Sequence, residues 1–141
     1  MSIMYINNRR PVSGKCYTEK FGTYQCTLAV RDAVMRELHT VVDDSIIEQV
    51  LRTGSADVSS RVLDIIWETA TEYAAEIMRC LREREYNPEL IRLYLMGGGV
   101  CLVRNFGEFD KERVKINDDI HATAKGYERL AAIKLARDDV K

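Results

Sequence analysis

Proline is nearly absent from this 141-residue chain, which carries two, and outside one cluster its eight glycines are thinly spread. A long disordered linker needs more of both, so the chain is expected to be folded for most of its length. No excess of either charge exists: 21 Lys and Arg stand against 22 Asp and Glu, a formal net charge of -1. A protein built to grip a nucleic-acid backbone needs a basic surplus, so direct binding of that kind is not expected. No apolar run nears the roughly 20 residues of a membrane span, and no signal-peptide pattern opens the sequence. Histidine is limited to His39 and His121, while Cys16, Cys26, Cys80 and Cys101 lie far apart. That spacing fits neither a zinc knuckle nor a redox dithiol, so no metal site is expected and the thiols are read as buried and reduced. What remains is an ordinary composition, 46% hydrophobic and 30% charged. At this length it predicts a single cytoplasmic domain over 1–141.

The first twenty residues read as a hairpin. Ile3 to Ile6 is a short apolar run, Asn7 to Pro11 a polar turn, and Val12 to Thr18 a β-branched and aromatic strand. Three helices are predicted next. The first, Tyr24 to Leu38, carries Leu28, Val30, Val34, Met35 and Leu38 at helical spacing. A second, short helix with Ile46, Ile47, Val50 and Leu51 is capped around Asp43-Asp44-Ser45 and stops at Gly54. The longest starts at Ser59 or Ser60 and ends before Asn87-Pro88, with an apolar stripe of Val62, Ile66, Ala70, Tyr73, Ile77 and Leu81. Its opposite face, including Glu68, Glu72 and Glu76, reads as solvated surface. Trp67 falls outside the stripe, which suits either a contact surface or a partly buried core position.

Leu90 to Met96 is short and almost wholly apolar, the pattern of a strand buried on both faces. It runs into Gly97-Gly98-Gly99, after which Val100 to Phe106 resumes at helical spacing. Arg113 to Ile116 is predicted as a further strand, and one of Asp118 and Asp119 as the cap of a last helix, His121 to Arg137. The order is that of an α/β layered domain. A buried strand, three glycines and a new helix form the informative feature. Glycine permits positive φ and lets a ligand approach where a Cβ would stand, and ligands of open α/β sheets sit beyond strand carboxyl ends. The same triplet also suits a tight turn that only allows close strand–helix packing. It is neither a dinucleotide fingerprint nor a Walker motif.

Leu93-Tyr94-Leu95-Met96-Gly97-Gly98-Gly99-Val100 resembles the adenosine-motif strand and loop of actin-like ATPases, and most closely that of the ParM-type plasmid-segregation actins. The likeness runs in order along essentially the whole chain. Thr27 to Val34 is similar to the helix after the hairpin of that family's second domain, and Asp43 to Ile47 resembles part of its small inserted subdomain. Asn117-Asp118-Asp119 with Ala124-Lys125-Gly126-Tyr127 resembles its closing segment.

The resemblance implies a ribonuclease H-like α/β half-domain, a mixed sheet with flanking helices that lacks its first, central strand, and a helical insert at about 41–54. It implies that Gly97, Gly98 and Gly99 lie against adenine and ribose, with Val100 and Cys101 beside the base. Arg31 and Lys20 are weaker candidates for the nucleotide cleft, more simply read as solvated charge; Tyr127 either flanks the base or packs in the core. The family's Asp-x-Gly phosphate loop has no counterpart in this sequence, and the chain is expected to begin just after it. Phosphoryl transfer is mostly positioning by such loops and a metal, so the chain alone is not expected to hydrolyse ATP. ATP or ADP with Mg belongs to the presumed parent; the expected partners are other copies of the chain and DNA through an adaptor, with no membrane. The missing strand would leave two open edges, closed by direct pairing of the Ile3–Ile6 and Leu93–Met96 strands or by a second copy. Two other readings stand beside this one: an interaction module without nucleotide, and a sugar-kinase or chaperone-type branch, against which the short insert argues.

Overall fold

The computed structural model describes residues 1–119 and 121–138. Nine elements follow in order: β1 (Ser2–Asn7), β2 (Arg10–Thr18), α1 (Thr23–Leu38), α2 (Asp44–Thr53), α3 (Ser60–Glu83), β3 (Leu93–Met96), α4 (Val100–Phe106), β4 (Val114–Asn117) and α5 (Ala122–Asp138).

The hairpin turn is tighter than the sequence predicts. Asn8 and Arg9 both take positive φ, 49° and 64°, so two residues make the reversal and Pro11 belongs to β2 opposite Ile6. Such a two-residue turn follows the natural twist of the strands, and a proline is tolerated because β2 is an edge strand. Extra residues around Gly14, φ +77°, bulge β2 between its pairings with Met4 and Ile6.

The helix signals were local, and the helices form where those signals place them. Asp43 caps α2 by accepting from the Ser45 N–H at 2.8 Å, and Gly54 ends it in the left-handed region. Ser59 caps α3 through the Val62 N–H. The largest fully buried side chains, among them Val30, Val34, Ile47, Leu51, Ile66 and Leu102, all lie on α1 to α4. The core is thus a layer of four helices, with the strands laid against it.

Among the described residues no single mixed sheet forms. Antiparallel β1–β2 and parallel β3–β4 are separate two-stranded sheets, with Leu93 opposite Val114 and Met96 opposite Asn117 in the second. Direct pairing of the first strand with the strand before the glycines, one of the two expected ways to close the gap, is therefore absent. Nor is the latter strand buried on both faces. Leu93 and Leu95 pack on the core, whereas Tyr94 and Met96 are 62% and 51% exposed, and Leu90 lies outside the strand. The apolar run misled because both faces are apolar while only one has a helix layer against it.

The hairpin is fastened to the C-terminal end of α3 by polar contacts. Tyr5 donates to the Arg84 carbonyl, Lys15 pairs with Glu85, and the Arg84 guanidinium pairs with Glu19 while lying 4.7 Å from the Tyr17 ring centroid. No helix among the described residues is long and apolar enough to cross a membrane.

Candidate functional site

β3 delivers the chain to the glycine triplet, and α4 leaves from it. Gly97 takes φ +98°, a conformation that side chains rarely adopt, and so requires glycine on backbone grounds alone. Its carbonyl accepts from the Val100 N–H at 3.3 Å, and the Gly99 carbonyl accepts from Leu102 at 3.2 Å, closing the first turn of α4. Gly98 and Gly99 need no such conformation. A Cβ at any of the three would meet nothing within 4 Å, so the loop borders open space. That is the opposite of a turn whose glycines only allow tight packing, where a Cβ would strike a neighbour.

Val100 and Cys101 sit differently. Both are buried, at 8% and 5% exposure, and the Cys101 thiol lies 3.5 Å from the Gly98 carbonyl. Their side chains anchor the loop from beneath; the glycines alone are its open surface. Burial pushes the Cys101 thiol up, and burial with Cys101 nearby pushes Cys26 up to about 12, so both are neutral. All four cysteines are free, but the expectation of buried thiols holds only for Cys26 and Cys101: Cys80 is half-buried, and an outward-facing position on β2 leaves Cys16 exposed.

Sequence reasoning missed the polar frame that holds α4. Asn105 donates from Nδ2 to the carbonyls of Leu51 and Arg52, at 2.8 and 2.9 Å, satisfying the end of α2. Trp67 donates to the Gly54 carbonyl at 2.9 Å and meets Phe106 edge-on at 4.6 Å. Its indole is therefore a staple joining α2, α3 and α4, although the residue stays 38% exposed. Arg104 pairs with Asp118, tying α4 to the segment after β4. There Asp119 accepts from the His121 N–H at 2.9 Å and pairs with Lys125; the ammonium, then that N–H, hold its carboxyl below the usual range.

The remaining candidates are not brought together. Arg31 is not simply solvated charge: it pairs with Asp44 at 3.2 Å, joining α1 to α2. Lys20 is exposed in the loop before α1. Tyr127 is 68% exposed on α5, so its reading as packed core is corrected: α5 has no substantial packing partner among the described elements. The open side of the glycine loop leaves its backbone accessible, with nothing within 4 Å of where a Cβ would stand. No group of three or more His, Cys, Asp or Glu side chains is arranged to hold a metal among the described residues. Compared with known proteins, the chain matches no family model, no curated protein and no solved structure.

Proposed function

We propose that this chain is the adenosine-side, C-terminal portion of an actin-like, filament-forming ATPase of the DNA-segregation type. The observation that carries the reading is the glycine loop. Three consecutive glycines follow a parallel strand, and a Cβ on any of them would meet only open space. The order of elements supports it as well: a hairpin, a helix, a small helical insert, a long helix, then strand, glycine loop, helix, parallel strand and helix. In this role the loop backbone lies against adenine and ribose, while Val100 and Cys101 fix the loop from below. DNA is reached through an adaptor, in keeping with the net charge of -1. Hydrolysis belongs to the parent with its phosphate loops and magnesium, not to these residues.

Gly98 provides the test, because its backbone is ordinary and a Cβ there would meet nothing within 4 Å. Titration of Mg-ATP and ADP by calorimetry is expected to give micromolar affinity, about -8 kcal/mol. Gly98→Leu is expected to weaken it at least about tenfold, a loss of about 1.4 kcal/mol, with the thermal transition unchanged. Absence of binding at millimolar nucleotide, or equal binding by the variant, refutes the adenosine role.

A second reading, an interaction module without nucleotide, is favoured by the apolar surface left open. Met4, Ile6, Tyr94 and Met96 are exposed on the outer faces of the strand pairs. Exposed apolar side chains of this size suit contact sites.

A further inference from the structure

Helix α5 has no substantial packing partner among the described elements, and Tyr127, Leu130, Ile133 and Leu135 are all exposed. One of its faces combines apolar and basic character. Leu130, Ile133 and Arg137 follow one another at spacings of three and four, which places them on one side of the helix, and Arg129 and Lys134 border that side. Glu128 falls on the opposite side. Arg129, Lys134 and Arg137 form no ion pair among the described residues.

Elsewhere on the molecule a groove of about 250 Å³ runs between the end of α1 and the start of α3. Leu38 and Ile65 give it an apolar lining, and Glu37, Asp64 and Glu68 surround them, with Arg61 the one basic residue. The acidic line continues along α3 through exposed Glu72. None of Glu37, Asp64, Glu68 and Glu72 is ion-paired among the described residues. Asp64 and Glu72 are eight positions apart, as are Arg129 and Arg137. Both spans are about 12 Å on a helix, so the charges match in length as well as in sign.

We propose that the basic face of α5 docks in the acidic α1–α3 groove of a second copy of this chain, joining copies head to tail. The root of α5 is pinned by the Arg104–Asp118 and Lys125–Asp119 pairs, and within one molecule both helix and groove stand open. A near-neutral chain that separates its charges in this way is complementary to itself. Because the two patches differ, each copy offers a free groove and a free helix, and the contact propagates along a chain or closes a ring. The inference stands apart from nucleotide binding and is tested without nucleotide.

The test uses two charge-reversed chains, D64K/E68K and R129E/K134E, with mass followed by sedimentation velocity over a concentration series at low and high salt. The native chain is expected to associate at low salt and to dissociate as salt screens the pairs. Each variant alone is expected to associate at least about tenfold more weakly, because like charges then meet. An equimolar mixture restores assembly, since each helix again finds a groove of opposite sign. Circular dichroism of each variant alone establishes that it is folded. A native chain that stays monomeric, variants that associate as the native chain does, or a mixture that stays dissociated would each overturn the proposal. So would a monomeric chain that sediments with phosphatidylserine vesicles through Arg129 and Lys134, which would make α5 a membrane-surface helix instead.

Discussion

Replacing Asn105 by alanine removes two donors from the end of α2 while leaving every apolar contact of the core in place. The Asn105 amide serves the carbonyls of Leu51 and Arg52, and a backbone donor at that helix end, the Gly54 N–H, is already given to the Val50 carbonyl at 2.7 Å. Each lost bond is worth about 1 kcal/mol net. Alanine returns roughly 0.5 kcal/mol through its better helix propensity within α4. The expected loss is therefore about 1.5 kcal/mol, which in urea moves the midpoint by about 0.75 M for a slope near 2 kcal/mol/M. Asn105→Asp sharpens the argument. It keeps the shape, loses the donors and points a carboxylate at a helix C-terminus, where the partial charge is already negative. Its loss is expected to exceed that of alanine by about 1 kcal/mol, and the excess is expected to shrink as the carboxylate is protonated in acid. An alanine variant within 0.5 kcal/mol of native (roughly the scatter of surface substitutions), or an aspartate variant no worse than alanine, would show that α4 is not holding α2.

Two further outcomes test the core and the turns. In the unfolded chain the Cys26 thiol ionises near pH 8.5, whereas burial holds it protonated up to about 12 in the fold. The folded state then keeps a proton that the unfolded state loses, so this contribution to stability is complete below about pH 8.5 and declines above it, by about 1.4 kcal/mol per pH unit. Urea unfolding at pH 8 and pH 10 is expected to show the native chain losing about 2 kcal/mol more than Cys26→Ala; parallel losses would refute the assignment. Gly54 takes φ +84°, with Trp67 Cζ2 3.3 Å from where a Cβ would be. Gly54→Ala is expected to cost about 1–2 kcal/mol in the same assay, and Gly98→Ala less than about 0.5, because only the first position is both left-handed and crowded.

The legible parts of this chain are those set by neighbours in sequence. Asp43 and Gly54 bound α2, Ser59 starts α3, and the glycines separate β3 from α4, because caps, turns and period act over a few residues. The glycine loop could be singled out for the same reason. Sequence did not reveal whether its glycines were crowded or open, since that depends on what lies opposite them. Trp67 and Asn105 were illegible as parts of one frame, since their partners, Gly54 and the end of α2, lie 13 and more than 50 residues away. The strand before the glycines shows the limit most plainly. Its apolar residues determined that it would be extended, but Tyr94 and Met96 face outward because no layer covers that side. Sequence by itself determined the order of the elements and the caps of α2 and α3. Tertiary structure alone decided that the four strands form two sheets, that four helices supply the core, and that α5 has no substantial packing partner among the described elements. Pairing and burial are relations between distant segments, and no local pattern encodes which of several apolar faces finds a partner.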